Sequence, residues 1–129
     1  MLNVASTAAF QPGPYMAVYY ASKAYLLSLS EALYEELSPF GVTVTALCPG
    51  PVRTGFQERA GNTDTPIGGG GGSRFTPFQD VDEVARAGYE GLMTGRAVVI
   101  PGTEYRLLAK LAGVAPRSVS RKLSARLNH

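Results

Sequence analysis

Residues 42–50, VTVTALCPG, alternate β-branched and smaller residues and then stop at Pro49-Gly50. This predicts a short strand ending at Pro49, because proline cannot donate to a ladder and glycine suits the turn beyond it. Upstream, residues 17–37 read AVYYASKAYLLSLSEALYEEL. Ala21, Ala24, Leu26, Leu27, Leu29, Leu33 and Leu37 make a broad apolar face, with Glu31, Glu35 and Glu36 more exposed. A helix is expected from about Val18 to Leu37, stopped by Pro39 and Gly41. Before it, Leu2–Ala5 reads as a strand running into a loop, and FQPGPYM (10–16) as irregular chain. Downstream, residues from about Phe56 to Thr76, including the five-glycine run Gly68–Gly72, read as a long loop. Asp80 with Glu83 resembles a capping box opening a second helix, DVDEVARAGYEGLM, and RAVVIPG (96–102) reads as a third strand. Strand–helix–strand–helix–strand predicts an α/β fold with a parallel sheet. Such a sheet needs both faces covered, and two helices are few for that, so part of a larger domain is expected. The abrupt opening of Met1 onto a strand points the same way.

The bulk properties narrow the function. With 129 residues, 45% hydrophobic and 17% charged, this is the composition of a globular protein. A net charge of +2 gives no case for nucleic acid. No apolar run is long enough to span a membrane, the N-terminus lacks the basic region of a signal peptide, and the single Cys48 cannot form an internal disulfide. A cytoplasmic location is therefore the expectation.

Three elements could carry chemistry. Tyr19 and Lys23, four apart on a helix, share a face. An ammonium near a phenol favours the phenolate, which makes tyrosine a usable acid/base near neutral pH. Seven tyrosines and three lysines in this length give about 0.2 such pairs by chance, so the pair alone fits a plain helix surface as well. Ser6 follows a strand at its carboxyl end, where α/β proteins place ligand crevices. Its hydroxyl could hold a substrate oxygen, or could simply serve the turn. CPGPVRTGF (48–56) ends the second strand at the same edge of the sheet. Thr54 and nearby backbone could bind a polar ligand there, or the stretch could be only a turn.

NVAS (3–6), the Tyr19-x-x-x-Lys23 pair thirteen residues after Ser6, and VTVTALCPGPVRT (42–54), in this order and spacing, resemble the second half of a short-chain dehydrogenase/reductase. The resemblance implies the last three strands, with crossover helices, of a Rossmann-like doubly wound parallel sheet. Residues 1–129 would be the C-terminal part of one dinucleotide-binding domain whose N-terminal half is not included. It implies an NAD(P)-dependent oxidoreductase moving hydride to a carbonyl or from an alcohol, with the choice between NAD and NADP open. Tyr19 would be the general acid/base. Lys23 would lower its pKa and hold the nicotinamide ribose, and Ser6 would position the substrate oxygen. Pro49, Gly50, Val52 and Thr54 would contact the nicotinamide, leaving Tyr20 as packing. The helix bearing Tyr19 and Lys23 would support a homo-oligomer, through an apolar face around Leu26, Leu29 and Leu33. The partner expected is a small carbonyl or alcohol substrate. Phe56, Phe75 and Phe78 would line its pocket or merely pack.

The family's glycine-rich dinucleotide loop has no counterpart here. The run Gly68–Gly72 follows no strand and ends in Ser73-Arg74, unlike a phosphate-binding loop. A catalytically inactive fragment serving as a dimerisation piece is the alternative. Serine-hydrolase chemistry is disfavoured because the sole histidine is the terminal His129. A metal site is disfavoured by one cysteine and one histidine. The basic, leucine-rich tail from Tyr105 could lie on an anionic membrane. Pro116 breaks any single helix there, and a capping or substrate-lobe role is the preferred reading.

Overall fold

The computed structural model describes residues 1–52 and 78–128. Three strands, β1 (Leu2–Val4), β2 (Thr45–Leu47) and β3 (Val98–Val99), form a parallel sheet in the order β1-β2-β3. Leu2 pairs with Thr45, Val4 with Leu47, and Leu47 in turn with Val99. Helix α1 (Ala17–Leu37) crosses from β1 to β2, and α2 (Val81–Met93) leads into β3. The tail forms α3 (Thr103–Val114) and α4 (Arg117–Asn128), separated at Ala115-Pro116 as the proline requires. The strands and helices expected from sequence are all present, although the strands are shorter than their apolar runs.

Strand β2 is central, and every residue from Val44 to Gly50 is buried. Its pleat sends alternate side chains to opposite faces. Ala46 and Cys48 join Ala5 and Leu27 beneath α1, with Leu26, Phe10 and Ile100 packed around them. Leu47 and Val99 meet Val84 of α2 on the other face. Strand β2 is therefore covered on both sides, whereas β1 leaves Leu2 and Val4, 36% and 53% exposed, uncovered on one face, as expected when two helices serve a parallel sheet. The strand order advances in one direction while the two helices take opposite faces. The two connections are consequently of opposite hand, against the strong general preference for right-handed crossovers.

Local chemistry explains the helix ends. Asp80 caps α2 by accepting from the Asp82 and Glu83 amides at 2.9 and 3.1 Å. A single turn at Ser38–Phe40 ends α1, and Gly41 beyond it adopts φ 74°, the left-handed conformation that favours glycine. On α1, Glu31, Glu35 and Glu36 are exposed as the sequence indicates. The expected partner face needs correction. Leu26 packs on the core and Leu33 is half-buried, so of the three leucines only Leu29 is exposed. It shares an outward stripe with Val18 and Tyr25, at i, i+7 and i+11.

Candidate functional site

The carboxyl ends of β1 and β2 open into a cleft of about 470 Å³. Ser6, Tyr19, Lys23, Pro49, Gly50 and Val52 all line it. Thr54 lies outside the described residues, as do Phe56, Phe75 and the glycine run.

Ser6 sits where the chain leaves β1. The Ala5 amide donates to the Leu47 carbonyl at 2.8 Å and the Thr7 amide to the Pro49 carbonyl at 3.0 Å, which locks this exit to the Pro49 loop. Ser6 Oγ accepts from the Ala8 amide at 3.1 Å and caps the short 3-10 turn Thr7–Phe10. The turn role and the position in the cleft are thus both present.

Tyr19 lies in the first turn of α1. In the turn before the helix, Tyr15 takes φ 68°, an uncommon conformation for a bulky residue. Tyr19 is half-buried, and its ring meets that of Tyr20 edge-on at 6.0 Å. The two tyrosines have separate fates. Tyr20 is buried, and its hydroxyl donates to Asn128 Oδ1 at 3.2 Å. Burial raises its pKa, with the Asn128 bond opposing. Gly13 permits this packing, because a Cβ there would stand 2.1 Å from the Tyr20 ring. Tyr20 is accordingly a packing residue.

Lys23 Nζ lies 5.7 Å from the Tyr19 ring centroid and donates to the Val4 carbonyl at 3.0 Å. Met1 and Ala5 bond across to β2, so the backbone groups of Leu2 and Val4 point the other way. The ammonium therefore satisfies an edge carbonyl while its charge stays beside Tyr19.

Several residues of the site carry no signal in the sequence. Gln79 is the clearest. Its side chain accepts from the Gly50 amide at 2.8 Å and donates to the Pro101 carbonyl at 2.7 Å. Its own amide donates to the Pro51 carbonyl at 2.8 Å. One glutamine thus ties the loop after β2 to the loop after β3. Tyr105 of α3 closes the same loop from another side, only 2% exposed. A Cβ on Gly50 would meet its ring at 2.4 Å, so the residue there must be glycine. Burial pushes the Tyr105 phenol up to about 12, with Glu104 adding to the effect. Burial likewise pushes the Cys48 thiol beneath the sheet up to about 11.

Gln79→Ala is expected to destabilise the protein by about 1–3 kcal/mol, since it leaves the buried Gly50 amide unpaired. Gln79→Glu keeps an acceptor for Gly50 but sets a second oxygen against the Pro101 carbonyl, and should recover only part of the loss. Urea unfolding of both variants measures this; a Gln79→Ala variant of wild-type stability would refute the clamp.

Residues 1–65 match the family model for short chain dehydrogenases, just over half of the chain. The chain belongs to the short-chain dehydrogenase family. It is 38% identical over 79 residues to the NADPH-dependent 1-acyldihydroxyacetone phosphate reductase of Schizosaccharomyces pombe, covering 61% of this chain and 27% of that protein. It is 27% identical over 131 residues to mouse estradiol 17-beta-dehydrogenase 11, covering 99% of this chain and 40% of that protein. Among solved structures, a short-chain dehydrogenase from Sphingobium yanoikuyae in complex with NADPH matches with TM-score 0.65 and 34% identity, over 79% of this chain and 37% of that one. One from Burkholderia cenocepacia in complex with NADP matches with TM-score 0.68 and 27% identity, over 92% and 44%. The chain thus spans less than half the length of each of these relatives. Among the described residues, no helix is long and apolar enough to cross a membrane.

Proposed function

We propose that this short-chain dehydrogenase chain forms the acid–base part of an NAD(P)-dependent oxidoreductase acting on a small carbonyl or alcohol. One observation carries the reading: Ser6, Tyr19 and Lys23, from two separate elements, line a single cleft at the carboxyl ends of β1 and β2. The cleft's volume suits the nicotinamide end of a dinucleotide together with a small carbonyl. When bound, the nicotinamide supplies or accepts the hydride.

The chain's own residues do the rest. The Ser6 hydroxyl donates to the carbonyl oxygen and fixes its direction. Tyr19 delivers its phenolic proton to that oxygen as negative charge develops on it, and takes the proton back in the oxidative direction. The Lys23 ammonium stabilises the resulting phenolate and contacts the nicotinamide ribose. Pro49, Gly50 and Val52, held by Gln79 and Tyr105, form the wall on the nicotinamide side. The two solved relatives above are in complex with NADPH and NADP. This supports a nicotinamide dinucleotide while leaving the choice between the two open. The exposed stripe of Val18, Tyr25 and Leu29 on α1 supports a homo-oligomer.

The test is a turnover assay of the oxidoreductase that contains residues 1–129, with NADPH or NADH and a panel of ketones and aldehydes. The expected result is loss of nicotinamide absorbance matched mole for mole by alcohol. Alcohol formation without nicotinamide consumption, or none with any pair, would overturn the reading.

A further inference from the structure

The cleft is chemically two-sided. Ser6, Tyr19 and Lys23 bring their polar groups from β1 and α1, whereas α3 and α4 line the cleft with Leu108, Leu111, Val119, Leu123 and Leu127. The first four of these are 43%, 52%, 55% and 55% exposed. The polar side chains that the two helices add to the lining are Tyr105, Ser120 and Asn128, each more than nine-tenths buried. Asn128 is engaged with the Tyr20 hydroxyl and donates to the Pro14 carbonyl at 3.2 Å. Lys110, Arg117, Arg121, Lys122 and Arg126 belong to the same two helices, yet none of them lines the cleft. This wall therefore offers an anionic group nothing to pair with. It offers an uncharged chain a continuous aliphatic surface that is otherwise left to water.

We infer that the cleft takes substrates whose carbonyl or hydroxyl group is attached to an extended, uncharged aliphatic portion, which lies along Leu108, Leu111, Val119 and Leu123. The inference rests on the proposed acid–base role of Ser6 and Tyr19, which sets the direction of the reactive head. The tail then runs from the strand ends toward α3 and α4. A short ketone fills the polar end and leaves the leucines wet. Each added methylene removes more of their surface from water, so affinity should rise with chain length until the wall is covered.

The test is an NMR titration of the protein with 2-butanone, 2-hexanone, 2-octanone and 2-decanone, read at the Leu111 and Leu123 amides. The dissociation constant should fall about two- to fourfold for each added methylene. Leu111→Ser and Leu123→Ser, at half-exposed positions, should flatten that dependence without unfolding the protein. Tyr19→Phe should leave it intact. Affinity that does not change with chain length overturns the inference, as does a steep dependence that both serine variants preserve. A Tyr19→Phe variant with undiminished turnover would instead remove the acid–base reading, so the two failures are distinguishable.

Discussion

Tyr19→Phe is expected to lower kcat of the proposed carbonyl reduction by about two to four orders of magnitude, the usual contribution of a positioned general acid. The substitution removes one oxygen and little else. The phenyl ring keeps its edge contact with Tyr20 at 6.0 Å and its place 5.7 Å from the Lys23 ammonium, so KM should barely move. Tyr20→Phe is the matched control and should behave in the opposite sense. Its hydroxyl is spent on Asn128 inside the protein, so turnover should stay within a few-fold while stability falls by about 1 kcal/mol. Adjacent tyrosines that exchange their phenotypes, one losing rate and the other stability, would separate chemistry from packing. Turnover of Tyr19→Phe within a few-fold of wild type would sink the assignment.

The tyrosine pair also shows how far the sequence could be read. Four-residue spacing puts Tyr19 and Lys23 on one helical face, and the helix pattern of residues 17–37 is long enough to be unambiguous. Strand ends were legible for a similar reason, because Pro49 and Pro101 stop their ladders chemically. Which helix covers which face was not: β2 is central, with α1 covering Ala46 and Cys48 and α2 covering Leu47. Local alternation cannot tell which faces will be covered by helices distant in sequence. Gln79 was illegible on the same ground: its bond to Gly50 spans 29 residues, and nothing local distinguishes it from any glutamine before a capping aspartate. The roles of α3 and α4 depended on three-dimensional placement as well. In sequence the basic, leucine-rich tail favours a capping or substrate-lobe role over a membrane surface, but only the meeting of both helices at the strand ends shows which of its residues line the cleft.

Raising the pH from 9 to 12 is expected to destabilise the protein by up to about 5 kcal/mol. Two buried acids drive the effect. Cys48 moves from an ordinary 9.0 to about 11 and Tyr105 from 10.0 to about 12, both chiefly because burial disfavours the charged form. Each of these displacements corresponds to about 2–3 kcal/mol. Because the folded state holds these protons more tightly, their stabilising contribution is whole below the unfolded values. It declines as the unfolded chain begins to ionise and is gone once the pH passes the folded values. The Cys48 part should therefore vanish between about pH 9 and 11, and the Tyr105 part between about pH 10 and 12. Burial raises Tyr20 in the same direction and adds to the loss. Urea unfolding at stepped pH separates the contributions: Tyr105→Phe should remove the later decline and Cys48→Ala the earlier one. Stability that stays flat to pH 12, or declines identically in both variants, would contradict the burial of these groups. The Tyr105 step also reaches the cleft. Its ring leaves no room for a Cβ on Gly50, so ionising the phenol and drawing it toward water would loosen the Pro49–Val52 loop. In Tyr105→Phe, whose ring cannot ionise, that loop should keep its hydrogen-exchange protection into the alkaline range where the wild-type loop loses it.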